Sequence, residues 1–180
     1  MSRYDINSNP ALVKLMKKLL MLMLILILGM CSMPGCSRNG FCRIKIGDSI
    51  DKAKDVYNSS YISLNALQVF KDEGRYVLAV EGNRGISGIA VFSSEGRLLY
   101  SEKLVPINDE NIKRFCGESV YELEKQYGKI HCDIGSGFYL PAYITNHATI
   151  IFFEIRNDTV ERFFSMDIIT KETTEVCSES

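Results

Sequence analysis

Tryptophan is absent from this 180-residue chain, histidine occurs only as His131 and His147, and basic residues are not in excess. Each shortage removes a class of function. A general base or an activated nucleophile needs a partner within hydrogen-bond reach, commonly a histidine, and only His131-Cys132-Asp133 brings such groups together in sequence. Successive strand residues point to opposite faces, so His131 and Cys132 are not expected to converge on one substrate. A zinc site calls for three or four N or S ligands at a recognisable spacing, and no such set is spelled out. No catalytic residue, metal or cofactor is therefore expected. An enzyme or metal site around His131 and Cys132 stands as the outside alternative.

The charge balance narrows the partners further. The chain carries 21 Lys and Arg against 22 Asp and Glu. Four of those bases (Arg3, Lys14, Lys17, Lys18) and one acid (Asp5) lie in the first 36 residues, leaving the remainder at a net charge of about −4. Nucleic acid, whose phosphates call for a basic face, is excluded as a partner. Gly82, Gly85 and Gly88 lead into the strand-like run Ile89-Ala90-Val91-Phe92, whereas a phosphate cradle needs a helix start after its glycines.

What is present begins with Met16 to Cys36. Lys17 and Lys18, the apolar run Leu19 to Leu28 and the pair Gly35-Cys36 are the three parts of an export signal. Crossing a hydrocarbon core takes roughly 20 apolar residues, and the run up to Met33 is shorter before Pro34 and Gly35 break it. Cleavage is expected ahead of retention as a span. The segment resembles a lipoprotein signal, cut just before Cys36 with lipid attached there. Cys31 is the alternative lipidation site, and ordinary cleavage or an uncleaved anchor the remaining readings. Met1 to Leu15 then form an upstream extension. The mature protein is expected in the cell envelope, membrane-anchored through its N-terminal lipid and extracytoplasmic.

With Cys31 and Cys36 assigned to the signal, Cys42, Cys116, Cys132 and Cys177 remain. In an exported chain they permit disulfides in three connectivities. Buried thiols packed as small apolar groups are the equal alternative.

An internal repeat organises the rest. Gly47-Asp48-Ser49-Ile50 with Tyr57-Asn58 recurs as Gly117-Glu118-Ser119-Val120 with Tyr127-Gly128. In each copy the glycine permits a tight turn, the serine can cap a helix start, and Asn58 or Gly128 suits the left-handed residue that closes a helix. Ser119 and Glu122 have capping-box spacing. Both copies predict short amphipathic helices, followed by period-two stretches. Strands are expected at Tyr76–Glu81, Ile86–Phe92 and Arg97–Lys103, then at Phe138–Thr145, Thr149–Ile155 and Val160–Ile168. The fold class is thus α+β: two tandem repeats, each a short helical segment followed by an antiparallel β-meander, helices on one face of the sheet and the other face toward solvent or a partner.

That order, repeated in an exported chain from Ile44 to about Ile169, resembles the beta-lactamase inhibitory protein fold. A single unit is similar to the small lipoprotein of the outer-membrane barrel-assembly machine. The resemblance implies binding of other proteins by the sheet and its loops, without catalysis. It also implies a disulfide within a repeat, which places a bond between Cys116 and Cys132 around the second helix. The first copy, with Cys42 alone, has no counterpart.

The expected organisation is 1–36 signal and extension, 37–43 tether, 44–105 first repeat, 106–113 linker, 114–170 second repeat and 171–180 polar tail. The expected function is that of an envelope lipoprotein binding a protein partner, as an inhibitor of a secreted or envelope enzyme or as an assembly scaffold. Aromatics dominate binding hot spots. Phe138, Tyr139 and Tyr143 on the sheet face are the candidate contact residues, with the loop Asp133–Leu140, where Gly135-Ser136-Gly137 stands beside aromatics, and the loop Thr145–Thr149, which holds His147.

Overall fold

Ser49 and Ser119 each start a helix by the same local means. In the computed structural model, which describes residues 40–108 and 111–178, Ser49 accepts a hydrogen bond from the Lys52 amide and caps α1, Ile50–Tyr57. Ser119 accepts from the Glu122 amide and caps α2, Val120–Tyr127. Each cap relieves one of the amides that the first helical turn leaves unpaired. The Glu122 carboxylate reaches Lys125 at 3.2 Å, so Ser119 supplies the cap while Glu122 stays on the helix surface. Asn58 ends α1 at φ 64° in the left-handed region. Gly128 ends α2 with its amide on Glu124 O. The expected signal, with Cys31 and Cys36, lies outside the described residues.

Among the described residues the protein is α+β, with two antiparallel five-stranded sheets. The first is ordered β1-β2-β3-β4-β5, from Ile62–Leu64, Leu67–Asp72, Arg75–Gly82, Gly85–Ser93 and Leu98–Glu102. A 3-10 turn at Ile112–Phe115 precedes α2. The second sheet is ordered β10-β9-β8-β7-β6, from Cys132–Asp133 (β6), Pro141–Ile144 (β7), Thr149–Arg156 (β8), Thr159–Asp167 (β9) and Thr173–Ser178 (β10). Four of these strands are additions to the sequence reading: β1, β2, β6 and β10. The last converts most of the expected polar tail into an edge strand on β9. Phe138 to Leu140, expected in a strand, lie in the loop before β7.

Three apolar clusters show where the sheets are covered. Ile50, Ala53 and Tyr57 of α1 share one with Phe70, Val77, Ala79, Ile89 and Val91 of the first sheet. Leu123 of α2 shares another with Tyr143, Ile151, Phe153 and Phe163 of the second. The third joins the sheets: Val69, Tyr76, Leu78, Val80, Ala90 and Phe92 pack with Ala142, Ile144 and Ile150. This overturns the expectation of an open sheet face. Runs such as Val77-Leu78-Ala79-Val80 are apolar on both sides of the pleat, and burial is complete only when both sides are covered. The other sheet supplies that second cover.

Polar links cross the join at specific points. The Tyr61 hydroxyl donates to Ile169 O at 2.8 Å, and the Ala66 amide donates to Asp133 O at 3.2 Å. Lys171 Nζ stands 3.6 Å from the Tyr61 ring centroid, within cation–π range. Among the described residues no helix is long and apolar enough to cross a membrane.

Candidate functional site: an aromatic loop between β6 and β7

β6 and β7 are joined by residues 134–140, and this loop is built around one carboxylate. Asp133 Oδ1 accepts from the Gly135 amide at 2.9 Å and from the Leu140 amide at 2.8 Å. The Ile134 amide closes the base by donating to Leu140 O at 2.9 Å. Two amides at opposite ends of the loop therefore share one acceptor, and such side-chain to backbone bonds replace the ladder that a loop lacks. Gly135 is required by space: a Cβ there would stand 1.9 Å from Phe138 O. Gly137 is held at φ +89°, where a side chain is strained.

The loop is thus ordered by that carboxylate and its own amides: Ile134 and Leu140 anchor its ends in the inter-sheet cluster, and Phe138 and Tyr139 turn outward. Phe138 is 65 % exposed and Tyr139 57 % exposed. Burial of the ring, with the charges of Asp133 and Glu124, raises the Tyr139 hydroxyl above its ordinary range. Glu124 belongs to α2, so the charge of that helix is felt at the Tyr139 hydroxyl. Tyr121, a turn earlier on α2 and 71 % exposed, lies on the same side as Glu124 by helical spacing. The sequence reading passed over Tyr121. An aromatic between Val120 and Glu122, where the cap fixes the helical phase, was the signal for it.

The other candidate residues sit elsewhere. Tyr143 is fully buried, a correction to its place on a binding face. Its hydroxyl donates to Gly128 O at 2.6 Å, and its ring packs with Tyr127, His131 and Phe153. Strand alternation turns Tyr143 toward α2, where its hydroxyl satisfies the helix-closing carbonyl. His147 is exposed in the β7–β8 turn, at the opposite end of β7 from Phe138 and Tyr139. The four residues of β7 separate those ends by about 13 Å, so His147 does not join the loop aromatics.

His131 and Cys132 turn to opposite sides. His131 Nδ1 accepts from the Ile144 amide at 2.9 Å. A second hydrogen bond ties the imidazole to the backbone of Val105. Burial pushes the imidazole down to about 4, so the ring is neutral and serves as a brace between Val105 and β7. Cys132 lies in the inter-sheet cluster, and burial, with the Asp133 charge, pushes its thiol up to about 12. No group of three or more His, Cys, Asp or Glu is placed to hold a metal among the described residues.

The implied bond between Cys116 and Cys132 is also corrected. Cys116 packs with the α2-side cluster and donates its thiol to Glu161 O at 3.4 Å, whereas Cys132 packs between the sheets. The second sheet stands between them. Cys42 packs beneath α1 in the remaining cluster.

No family model matches the chain, and neither a curated protein nor a solved structure does.

Proposed function

We propose that this chain is an envelope lipoprotein, anchored at Cys36, whose extracytoplasmic part binds a protein through the loop 134–140. The observation that carries this reading is the exposure of Phe138 and Tyr139 on a loop tied down by Asp133. Large aromatic rings held outward on ordered backbone lose little entropy on binding and supply hot-spot area. The tandem-repeat reading, and with it the likeness to the beta-lactamase inhibitory protein fold, is supported by the order of elements. A serine-capped helix comes before a five-stranded meander in both halves. A non-catalytic role is supported by the engagement of His131 with two backbone partners and by the buried, protonated Cys132.

The test compares the mature protein with Phe138→Ala/Tyr139→Ala in affinity capture from its own envelope extract, followed by titration of the captured partner in purified form. The double variant is expected to bind at least about 2 kcal/mol more weakly at an unchanged melting temperature. Equal affinity for both proteins sinks the loop as the contact site. A soluble hydrolase held one to one identifies an inhibitor, and a membrane complex recovered in detergent identifies a scaffold. Intact mass of the same preparation is expected to begin at an acylated Cys36, and a chain beginning at Met1 or Met16 without an acyl group refutes the anchor.

A further inference from the structure

The outer edge of β9 is shared by two segments that meet end to end. β10 pairs with its later part, Thr173 opposite Met166 and, after a bulge, Cys177 opposite Phe163 and Ser178 opposite Arg162. Where β10 stops, the segment leading into α2 takes over. The Gly117 amide donates to Val160 O, the Val160 amide to Glu118 O and the Val120 amide to Asp158 O, at 2.8, 2.9 and 2.9 Å. Cys177 and Cys116 flank this junction.

Their side chains also share a face. Cys177 is opposite Phe163, which is buried in the α2-side cluster, and both cysteines pack against that cluster. The Cys116 thiol lies on Glu161 O, two residues along β9 from Phe163, or about 7 Å. The two cysteines thus meet the same edge of β9 two residues apart, and a disulfide requires their Cα atoms to stand roughly 4.4–6.8 Å from one another. Access separates this pair from the rest: Cys116 and Cys177 are half-buried, while Cys42 and Cys132 are buried.

We propose that Cys116 and Cys177 form an intramolecular disulfide that seals β10 onto the segment entering α2. The oxidant is a small disulfide of the glutathione type. A Cys116 thiolate attacks one sulfur of the oxidant and expels the first thiol. A Cys177 thiolate then attacks Cys116 Sγ of the mixed disulfide and expels the second, so two protein thiols are oxidised as one disulfide is reduced to two thiols. The bond converts an edge strand at the chain terminus, the kind of element that frays first, into one fixed at both ends. The chemistry stands apart from the export reading, which bears only on where the oxidant is met.

The experiment reduces the full chain in detergent, exposes it to oxidised glutathione and maps peptides without reduction. The expected result is a peptide pair joining Cys116 to Cys177, two hydrogens lighter than the thiols, with loss of both from alkylation. Cys177→Ser is expected to retain glutathione on Cys116. Recovery of Cys116 and Cys177 as thiols or as separate glutathione adducts, or linkage of either to another cysteine, overturns the proposal. The link formed in vitro but missing from protein isolated from cells supports the pairing and counts against an oxidising compartment.

Discussion

The two sheets make the same connection in different ways. In the first, β1 passes to β2 through Asn65-Ala66 alone, whereas in the second, β6 passes to β7 through residues 134–140. The short turn spends its polar groups on the fold: the Ala66 amide donates to Asp133 O and the Ala66 carbonyl accepts from Glu81. The long loop satisfies itself through the Asp133 carboxylate and directs Phe138 and Tyr139 outward. The short connection therefore braces the base of the long one. Extra loop length costs little closure entropy, and a function can be carried by such a loop without altering the scaffold that holds it.

The most severe way to break this contrast is to remove the frame and leave the loop. Tyr143→Ala deletes a fully buried ring and leaves Gly128 O without its donor. Denaturant titration is expected to show a loss of about 3–5 kcal/mol. A change below about 1 kcal/mol would show that Tyr143 is not the core residue described here.

Acid tests the brace that packs beside Tyr143. His131 is held neutral, with its imidazole at about 4 against an ordinary value of 6.5, so the unfolded chain binds more protons between those values. The contribution is complete above about pH 6.5 and is lost as pH falls to about 4, a swing of about 3 kcal/mol. Stability measured across that range is expected to lose this slope in His131→Gln. An unchanged slope would assign the acid sensitivity to other groups.

The smallest effect belongs to the loop itself. Asp133→Ala strips the acceptor from the Gly135 and Leu140 amides, at a cost of about 1–2 kcal/mol. Amide exchange is expected to quicken at those two positions while the β8 and β9 amides keep their protection. Uniform quickening across the second sheet would mean that loop and frame unfold as one.

The sequence was most legible where structure is local. Ser49, Asn58, Ser119 and Gly128 mark both helices because caps act within a few residues. The six expected strands survive, with β7 shortened to Pro141–Ile144. β1 and β2 were missed because Ile62–Leu64 is short and because Gln68 and Lys71 interrupt β2. Gln68 is nonetheless buried, its side-chain amide donating to Leu64 O at 2.9 Å. β10 escaped notice because a polar edge strand, which resists pairing with other chains, reads as a tail. Within the site, Phe138 and Tyr139 were legible as aromatics beside a glycine-rich loop. The Asp133 clamp was not, because it depends on the loop folding back to bring Gly135 and Leu140 to one oxygen.

Alternation along Ala142-Tyr143-Ile144 follows from the sequence alone, since neighbouring strand residues must face opposite ways. Which face stays open does not. That depended on a second sheet arriving from 50 or more residues away to cover Ala142 and Ile144, with α2 covering Tyr143. The sequence thus determined the helix limits, the strand faces and the supply of aromatics. Only tertiary packing decided that the sheet faces form cores and that exposure falls to the loop, because burial is a property of what covers a residue and a residue's own pattern carries no record of its cover.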